Sequence, residues 1–421
     1  MTIINKLKLV FELWILSIFD ILMIIYCDFT ILFAFFCLLF SFIKINTNKK
    51  IIILSNKHYS NLNLKNVSFL SINFVFYLLF FIFYFLFFFN NVFKLSIIWY
   101  QKKIFFIKNI LDLNFSFDFL NLYFILLTFF IFLIIFLSIN NSKFLKDLNK
   151  MSNPVVFILF FLIEFFLILT FSTSNIFFFF FFFESSLIPM YIIMIFLGKG
   201  VKKKYYASFS LVFFTLTGSI FLLFSIICLF SFSNTCDFKH LNFEFLDFNT
   251  QLILFISFLL GFAVKVPIFP FYSWLPEAHV EASTSVSILL AAIFLKVATY
   301  GLLKIVIFNF FLPINYAYSL LVYFSLVSIL FASFLALIQT DLKKIVALSS
   351  IIHMNYIVIG LFSLDAKATV ASIIYMFSHA FVSSGLFYLI GLIYENTGTR
   401  DLLNFSNKIK YSQNFFFFFF I

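Results

Sequence analysis

Apolar runs of about 20 residues, the length that crosses a hydrocarbon core as a helix, recur along the whole of this 421-residue chain. Inside lipid no water is available to satisfy backbone N–H and C=O groups, so a spanning segment must be a helix or belong to a closed barrel. The alternating polar and apolar strands of a barrel do not occur in it. Composition agrees: 64% of residues are hydrophobic and 11% charged, against roughly 45–50% and 25% in soluble domains. The expected class is therefore an all-α polytopic membrane protein. Its candidate spans are 8–26, 29–44, 67–89, 118–138, 154–172, 174–196, 205–231, 250–274, 279–305, 314–338, 343–363 and 367–394.

Basic residues collect after the fourth span (NSKFLKDLNK), the sixth (GKGVKKK), the tenth (QTDLKK) and the twelfth (ENTGTRD), while the loops after the fifth and seventh are neutral or acidic. The positive-inside rule then puts the even loops on the matrix or cytoplasmic side; only the lysine-bearing loop 94–108 breaks the alternation. These loops supply most of the net charge of +11, so membrane orientation explains it better than nucleic-acid binding does. The cysteines, Cys27, Cys37, Cys228 and Cys236, have no C-x-x-C spacing and no histidine in metal-ligand register. That argues against an iron–sulfur cluster, a haem or a zinc site in this chain. The N-terminus keeps Glu12 and Asp20 and lacks small cleavage-type residues, unlike a signal or transit peptide. Phenylalanine fills 78 positions, with unbroken runs at 177–183 and 415–420, beside abundant Ile, Asn, Lys and Tyr. Such usage fits an A/T-rich organelle genome with phenylalanine as a general apolar filler.

One stretch departs from the pattern. GFAVKVPIFPFYSWLPEAH, at 261–279, holds three of the six prolines, Pro267, Pro270 and Pro276, next to Lys265. Proline lacks an N–H and clashes with the preceding turn, which predicts two half-helices with a hydrated, irregular joint between them. Irregular backbone at membrane depth survives only where protein buries it or where it lines a wet cavity. Transporters place their sites at such joints, usually one in each half of an inverted repeat. Only one is found in this sequence.

Charges inside spans are costly enough to mark function. Glu184 follows the first phenylalanine run, with Pro189 expected to loosen its helix, and Lys265 adjoins the joint. Lys296 lies deep in ILLAAIFLKVATYGLLK, with Thr299 and Tyr300 continuing its face one turn on. His353 sits among Ser349, Ser350 and Tyr356, and His379 belongs to a polar stripe of Ser372, Tyr375, His379 and Ser383, spaced to share one helix face. A single buried histidine or lysine is often structural, but five such groups on separate spans point to proton transfer. A carboxylate beside a lysine holds it protonated, and neutralising the carboxylate lets the proton go, a switch that needs no redox centre. Driving a proton outward costs about 2.3 kcal/mol per 100 mV. No P-loop is present, so the energy must come from a partner or another ion gradient. Glu164 is also intramembrane, with no partner evident in the sequence.

The segments FAVKVPIFPFYSWLPEAHVEASTSVSILLAAIFLKVATYGLLK, IQTDLKKIVALSSIIHMNYIVIG, YMFSHAFVSSGLFYLIGLIYENTGTRDL and FFFESSLIPMYIIM closely resemble the subunit-4 family of mitochondrial NADH dehydrogenase. Its members are antiporter-like, proton-pumping subunits of respiratory complex I. The likeness covers about 175–403. It implies an antiporter-like inverted-repeat helix bundle: divergent N-terminal helices over 1–150, a first repeat over 151–305 containing the broken helix 250–274, and an incomplete second repeat over 306–421. Glu184 and Lys265 match the family's charge pair, Lys296 its central lysine, and His353 and His379 polar residues that continue a hydrated axis. The energy would come from quinone reduction elsewhere, making the chain a subunit of the H+-translocating NADH:ubiquinone reductase. It would hold no cofactor itself, with FMN, iron–sulfur clusters and quinone in other subunits. The family's second broken helix would fall beyond Ile421. A separately encoded C-terminal fragment or a lateral accessory subunit is therefore expected as a partner, beside related antiporter-like membrane-arm subunits and lipid. The resemblance also implies the mitochondrial inner membrane and a gene in the mitochondrial genome. Two other roles stay open: a cation/proton antiporter subunit uncoupled from electron transfer, and a non-pumping structural subunit.

Overall fold

The computed structural model of the chain describes residues 115–141, 153–198, 200–233, 237–238 and 246–402. The spans expected at 8–26, 29–44 and 67–89, the loop 94–108, Cys27, Cys37, Cys236 and the run 415–420 lie outside them. The chain divides into two compact units, 1–66 with 149–161 and 67–148 with 162–421. Of the first unit, residues 153–161 are described, the start of one helix; all other described residues belong to the second.

Ten helices occur among the described residues: α1 Phe119–Asn141, α2 Asn153–Ser172, α3 Ile176–Leu197, α4 Val201–Ser233, α5 Phe248–Lys265, α6 Trp274–Glu281, α7 Thr284–Ile307, α8 Phe311–Ile338, α9 Leu342–Phe362 and α10 Ala366–Thr397. All but α6 are long and apolar enough to cross a membrane. Their boundaries follow local chemistry. Asn175 caps α3 by accepting from the Phe177 N–H, and Asp341 and Asp365 do the same for Lys343 and Lys367 at the starts of α9 and α10, each satisfying an N–H that has no partner within its helix. Gly398 ends α10 at φ 73°, a left-handed turn that glycine takes without strain.

α7 is the centre of the second unit. An 18-residue stretch of it is buried throughout, against 28% of the matching stretch of α8, whose outer face, like that of α4, shows large apolar side chains such as Phe213, Ile220, Tyr323 and Phe334. The loops fall into two groups. At one end the backbone pairs Ser116 with Ser172 and Phe238 with Ser174. At the other, Leu342 bonds Arg400 and Leu402 bonds Thr340, in the two loops expected to share the basic face.

The predicted break is present, and its bounds need correction. α5 stops at Lys265, 266–273 are irregular, and α6 follows as a second half-helix separated from α7 by Ala282 and Ser283. The spans 250–274 and 279–305 therefore each merged parts of distinct elements. Pro276 does not break anything: it is the third residue of α6, in the first turn where a missing N–H costs no helical bond. Pro189 likewise lies inside an unbroken α3. The joint expected to be hydrated satisfies its backbone with protein. Trp274 Nε1 donates to the Val264 carbonyl at 2.9 Å, the Phe269 N–H donates to Ser328 Oγ at 2.7 Å, and Asn355 Nδ2 donates to the Pro267 carbonyl at 3.4 Å. These contacts are what allow non-helical backbone at this depth.

Candidate functional site

The five sequence-selected residues form two clusters. In the first, Lys265 at the end of α5 bonds Oε1 of Glu184 on α3, with the two side chains 4% and 17% exposed. The ammonium also sits 3.5 Å from the Phe183 ring centroid, close enough for a cation–π contact. Phe183 is thus more than the apolar filler expected of its run, whose neighbour Phe181 is 52% exposed. Placing Lys265 in the last turn of α5 also sets its charge against the negative end of the helix dipole. The second carboxylate oxygen, Oε2 of Glu184, is buried without a hydrogen-bond partner among the described residues. An orphaned carboxylate oxygen is costly and is a natural place for a proton or water to arrive.

In the second cluster Lys296, fully buried in α7, meets His379 of α10 at 2.6 Å between Nζ and Nδ1. Its ammonium also donates to the Ala291 carbonyl at 2.6 Å, five residues back on its own helix. That carbonyl lies in a wide π-helical turn, Leu290–Phe294, of the kind that concentrates at functional sites. The His379 ring centroid is 5.6 Å from that of His353 on α9, and His353 Nδ1 is 2.6 Å from the Tyr375 hydroxyl. His353 thus joins Tyr375 of the α10 stripe rather than Tyr356 of its own helix, which is 51% exposed. Ser372, His379 and Ser383 are all buried and Tyr375 is half-buried, so the stripe that the spacing puts on one face is turned inward. Among the described residues no hydrogen bond or ion pair joins this cluster to Glu184 and Lys265. Glu164 is 5% exposed.

Sequence reasoning missed two groups beside the second cluster. Lys343 reads as a loop charge in QTDLKK, yet it lies in the first turn of α9 and is 2% exposed. Its ammonium donates to the carbonyls of Ala282 at 2.7 Å and His279 at 3.1 Å and to Ser287 Oγ at 2.6 Å. Arg400 donates to the Val280 carbonyl at 2.6 Å, so two cations close the C-terminus of α6, where carbonyls have no helical partner. The second group is His279, fully buried, its ring stacked 4.7 Å from that of Phe387 and both nitrogens without hydrogen-bond partners among the described residues. A histidine just after a helix break was visible in the sequence; its burial was not.

Residues 173–421, more than half of the chain, match the transmembrane family described as NADH:quinone oxidoreductase/Mrp antiporter. The chain belongs to that family. Within it, the chain is 38% identical over 300 residues to NADH-ubiquinone oxidoreductase chain 4 of Acanthamoeba castellanii, covering 70% of this chain and 58% of the relative. It is 44% identical over 228 residues to chain 4 of Dictyostelium citrinum, covering 54% and 55%. The chain spans about half the length of the curated relatives it matches. Among solved structures, respiratory complex I from Thermus thermophilus with bound NADH contains a chain with TM-score 0.60 and 24% identity, covering 69% of this chain and 60% of that one. The membrane-bound sulfane sulfur reductase, an archaeal respiratory membrane complex, contains one with TM-score 0.66 and 23% identity, covering 73% and 62%. At this identity they establish the fold: an all-α, antiporter-like membrane protein of the family.

Proposed function

We propose that the chain is a proton-translocating membrane subunit of respiratory complex I in the mitochondrial inner membrane, working beside related antiporter-like subunits and powered by quinone reduction elsewhere. The observation that carries this is the Lys296–His379–His353–Tyr375 line, four protonatable side chains in successive contact across α7, α10 and α9, buried at Lys296 and His379 and half-buried at His353 and Tyr375. Membership of the family and the names of its relatives supply the reaction. Glu184 and Lys265 act as a charge pair whose opening or closing alters the field at the joint, and Lys296 holds the travelling proton. Pro267 and Pro270 keep the joint from closing into a continuous helix, while Pro276 starts its second half. His353 and His379 exchange protons with Lys296 along the line.

The family description also includes antiporters, which keeps uncoupled cation/proton exchange as the second reading. The test is the assembled complex in sealed inner-membrane vesicles, with protons moved per NADH oxidised measured for native protein and Lys296→Ala. A lower ratio is expected. An unchanged ratio overturns the proposal in favour of a spacer role, and sodium-dependent proton flux without NADH overturns it in favour of exchange.

A further inference from the structure

Past Lys296, α7 carries a second set of polar contacts that the proton line leaves unused. Tyr300 and Lys304 follow Lys296 at intervals of four, one face of the helix. Lys296 and Tyr300 are 0% exposed, Lys304 is 13% exposed and its partner Asp118 29%. Exposure thus rises along a single face from the membrane centre to the end of α7. That end is the one where the loops at 115–118, 172–175 and 237–238 meet, opposite the basic loops.

Tyr300 closes this route. Its hydroxyl donates to Asn121 Oδ1 at 2.8 Å, and Asn121 is itself anchored by donating to the Ser116 carbonyl at 2.8 Å. Phe124, Phe171 and Phe179 surround the ring with centroids 5.4, 5.2 and 6.0 Å away, a collar of apolar rings in which the hydroxyl also lies 3.5 Å from the Phe171 carbonyl. Lys296, meanwhile, points its ammonium back toward Ala291 and His379, away from Tyr300.

We infer that Tyr300 is the gate of a proton outlet running from Lys296 to Asp118 on the face opposite the basic loops, an inference that rests on the function proposed above. When the Lys296 stem swings about one turn, roughly 5.4 Å, and the Tyr300 hydroxyl leaves Asn121, water enters the collar. The proton then passes from the Lys296 ammonium through that water to the Asp118 carboxylate and on to solvent, leaving Lys296 neutral to be reloaded from His379. Lys304 holds Asp118 at the mouth between transfers. In the resting arrangement the loaded lysine faces one side while the outlet is shut, which is the condition for moving a proton against a gradient without leak.

The experiment uses the assembled complex in sealed vesicles and reads protons moved per NADH oxidised for Lys296→Ala, Tyr300→Phe, Asp118→Asn and Asp118→Glu. Asp118→Asn is expected to lower the ratio to the same fraction of native as Lys296→Ala, with Asp118→Glu restoring it, and Tyr300→Phe, which cannot hold the gate shut through Asn121, to lower it by proton leak. A native ratio in Asp118→Asn or in Tyr300→Phe, with Lys296→Ala lowered, overturns the outlet and leaves the proposed function standing. A loss in Asp118→Glu equal to that in Asp118→Asn also overturns it, because a carboxylate at the mouth would then not be what carries the proton. A native ratio in Lys296→Ala overturns both. Should Tyr300→Phe fail to assemble, Asp118→Asn decides, its side chain being exposed enough to change without disturbing the core.

Discussion

Replacing Lys343 by methionine, which keeps the length of the side chain and removes its ammonium, is expected to destabilise the joint between α6 and α7. The carbonyls of Ala282 and His279 lose a charged donor at 2.7 and 3.1 Å. Ser287 Oγ keeps its own bond to the Ser283 carbonyl at 2.7 Å. Two buried carbonyls deprived of a partner cost about 1–3 kcal/mol each. Part of this is returned because an ammonium no longer has to be stripped of water, leaving a net loss of about 2–4 kcal/mol. The adjacent Lys344, only half-buried, serves as control: Lys344→Met changes the same formal charge in the same first turn of α9 and is expected to cost within about 0.5 kcal/mol. Thermal inactivation of the detergent-solubilised complex separates the two, with the midpoint falling for Lys343→Met and holding for Lys344→Met. Equal midpoints for the two variants would refute the reasoning, since the lysines would then differ only in name.

Gly301→Ala places a methyl 2.4 Å from a Phe262 ring carbon, an overpacking worth about 1–3 kcal/mol; the thermal midpoint should fall and recover when Phe262→Leu is added. Trp274→Phe removes the donor to the Val264 carbonyl, at about 1–3 kcal/mol for a buried acceptor left alone. Amide hydrogen exchange over 262–268 should accelerate while that of α9 stays unchanged, and equal exchange would mean that the indole does not hold the joint.

The spans from 118 onward could be read from the sequence because lipid leaves a backbone few choices, and length plus apolarity decides among them. Glu184, Lys265 and Lys296 stood out for the same reason, since a charge in hydrocarbon is conspicuous by its cost. What escaped was anything that depends on helix phase near an end. Lys343 and Lys344 are identical neighbours in one turn, and only the start of α9 at Leu342 turns the first inward. Pro267 and Pro276 are the same residue nine positions apart, one interrupting a helix and the other beginning one, because where a helix starts decides which N–H groups matter. The phenylalanine run hides the same lesson. Phe179 and Phe183 are each 1% exposed while Phe177 and Phe181 are 41% and 52% exposed, so a monotonous sequence is sorted by geometry into core and surface.

The partners were harder still, and for a reason that separates the two halves of the candidate site. The repeat of four along Lys296, Tyr300 and Lys304 is local and can be read from any helix. The groups that give it meaning are not local: His379 is 83 residues from Lys296, Asn121 is 179 from Tyr300, and Asp118 is 186 from Lys304. Periodicity fixes which side chains share a face but carries no information about what that face meets. Here one face meets imidazole at the membrane centre and an amide and a carboxylate at its end, which is why the same helix can serve as store and gate. A lysine that lacked either neighbour would be a buried charge with one way in and no way out, and in the proposed outlet the contacts of Asn121 and Asp118 with α7 supply the second way.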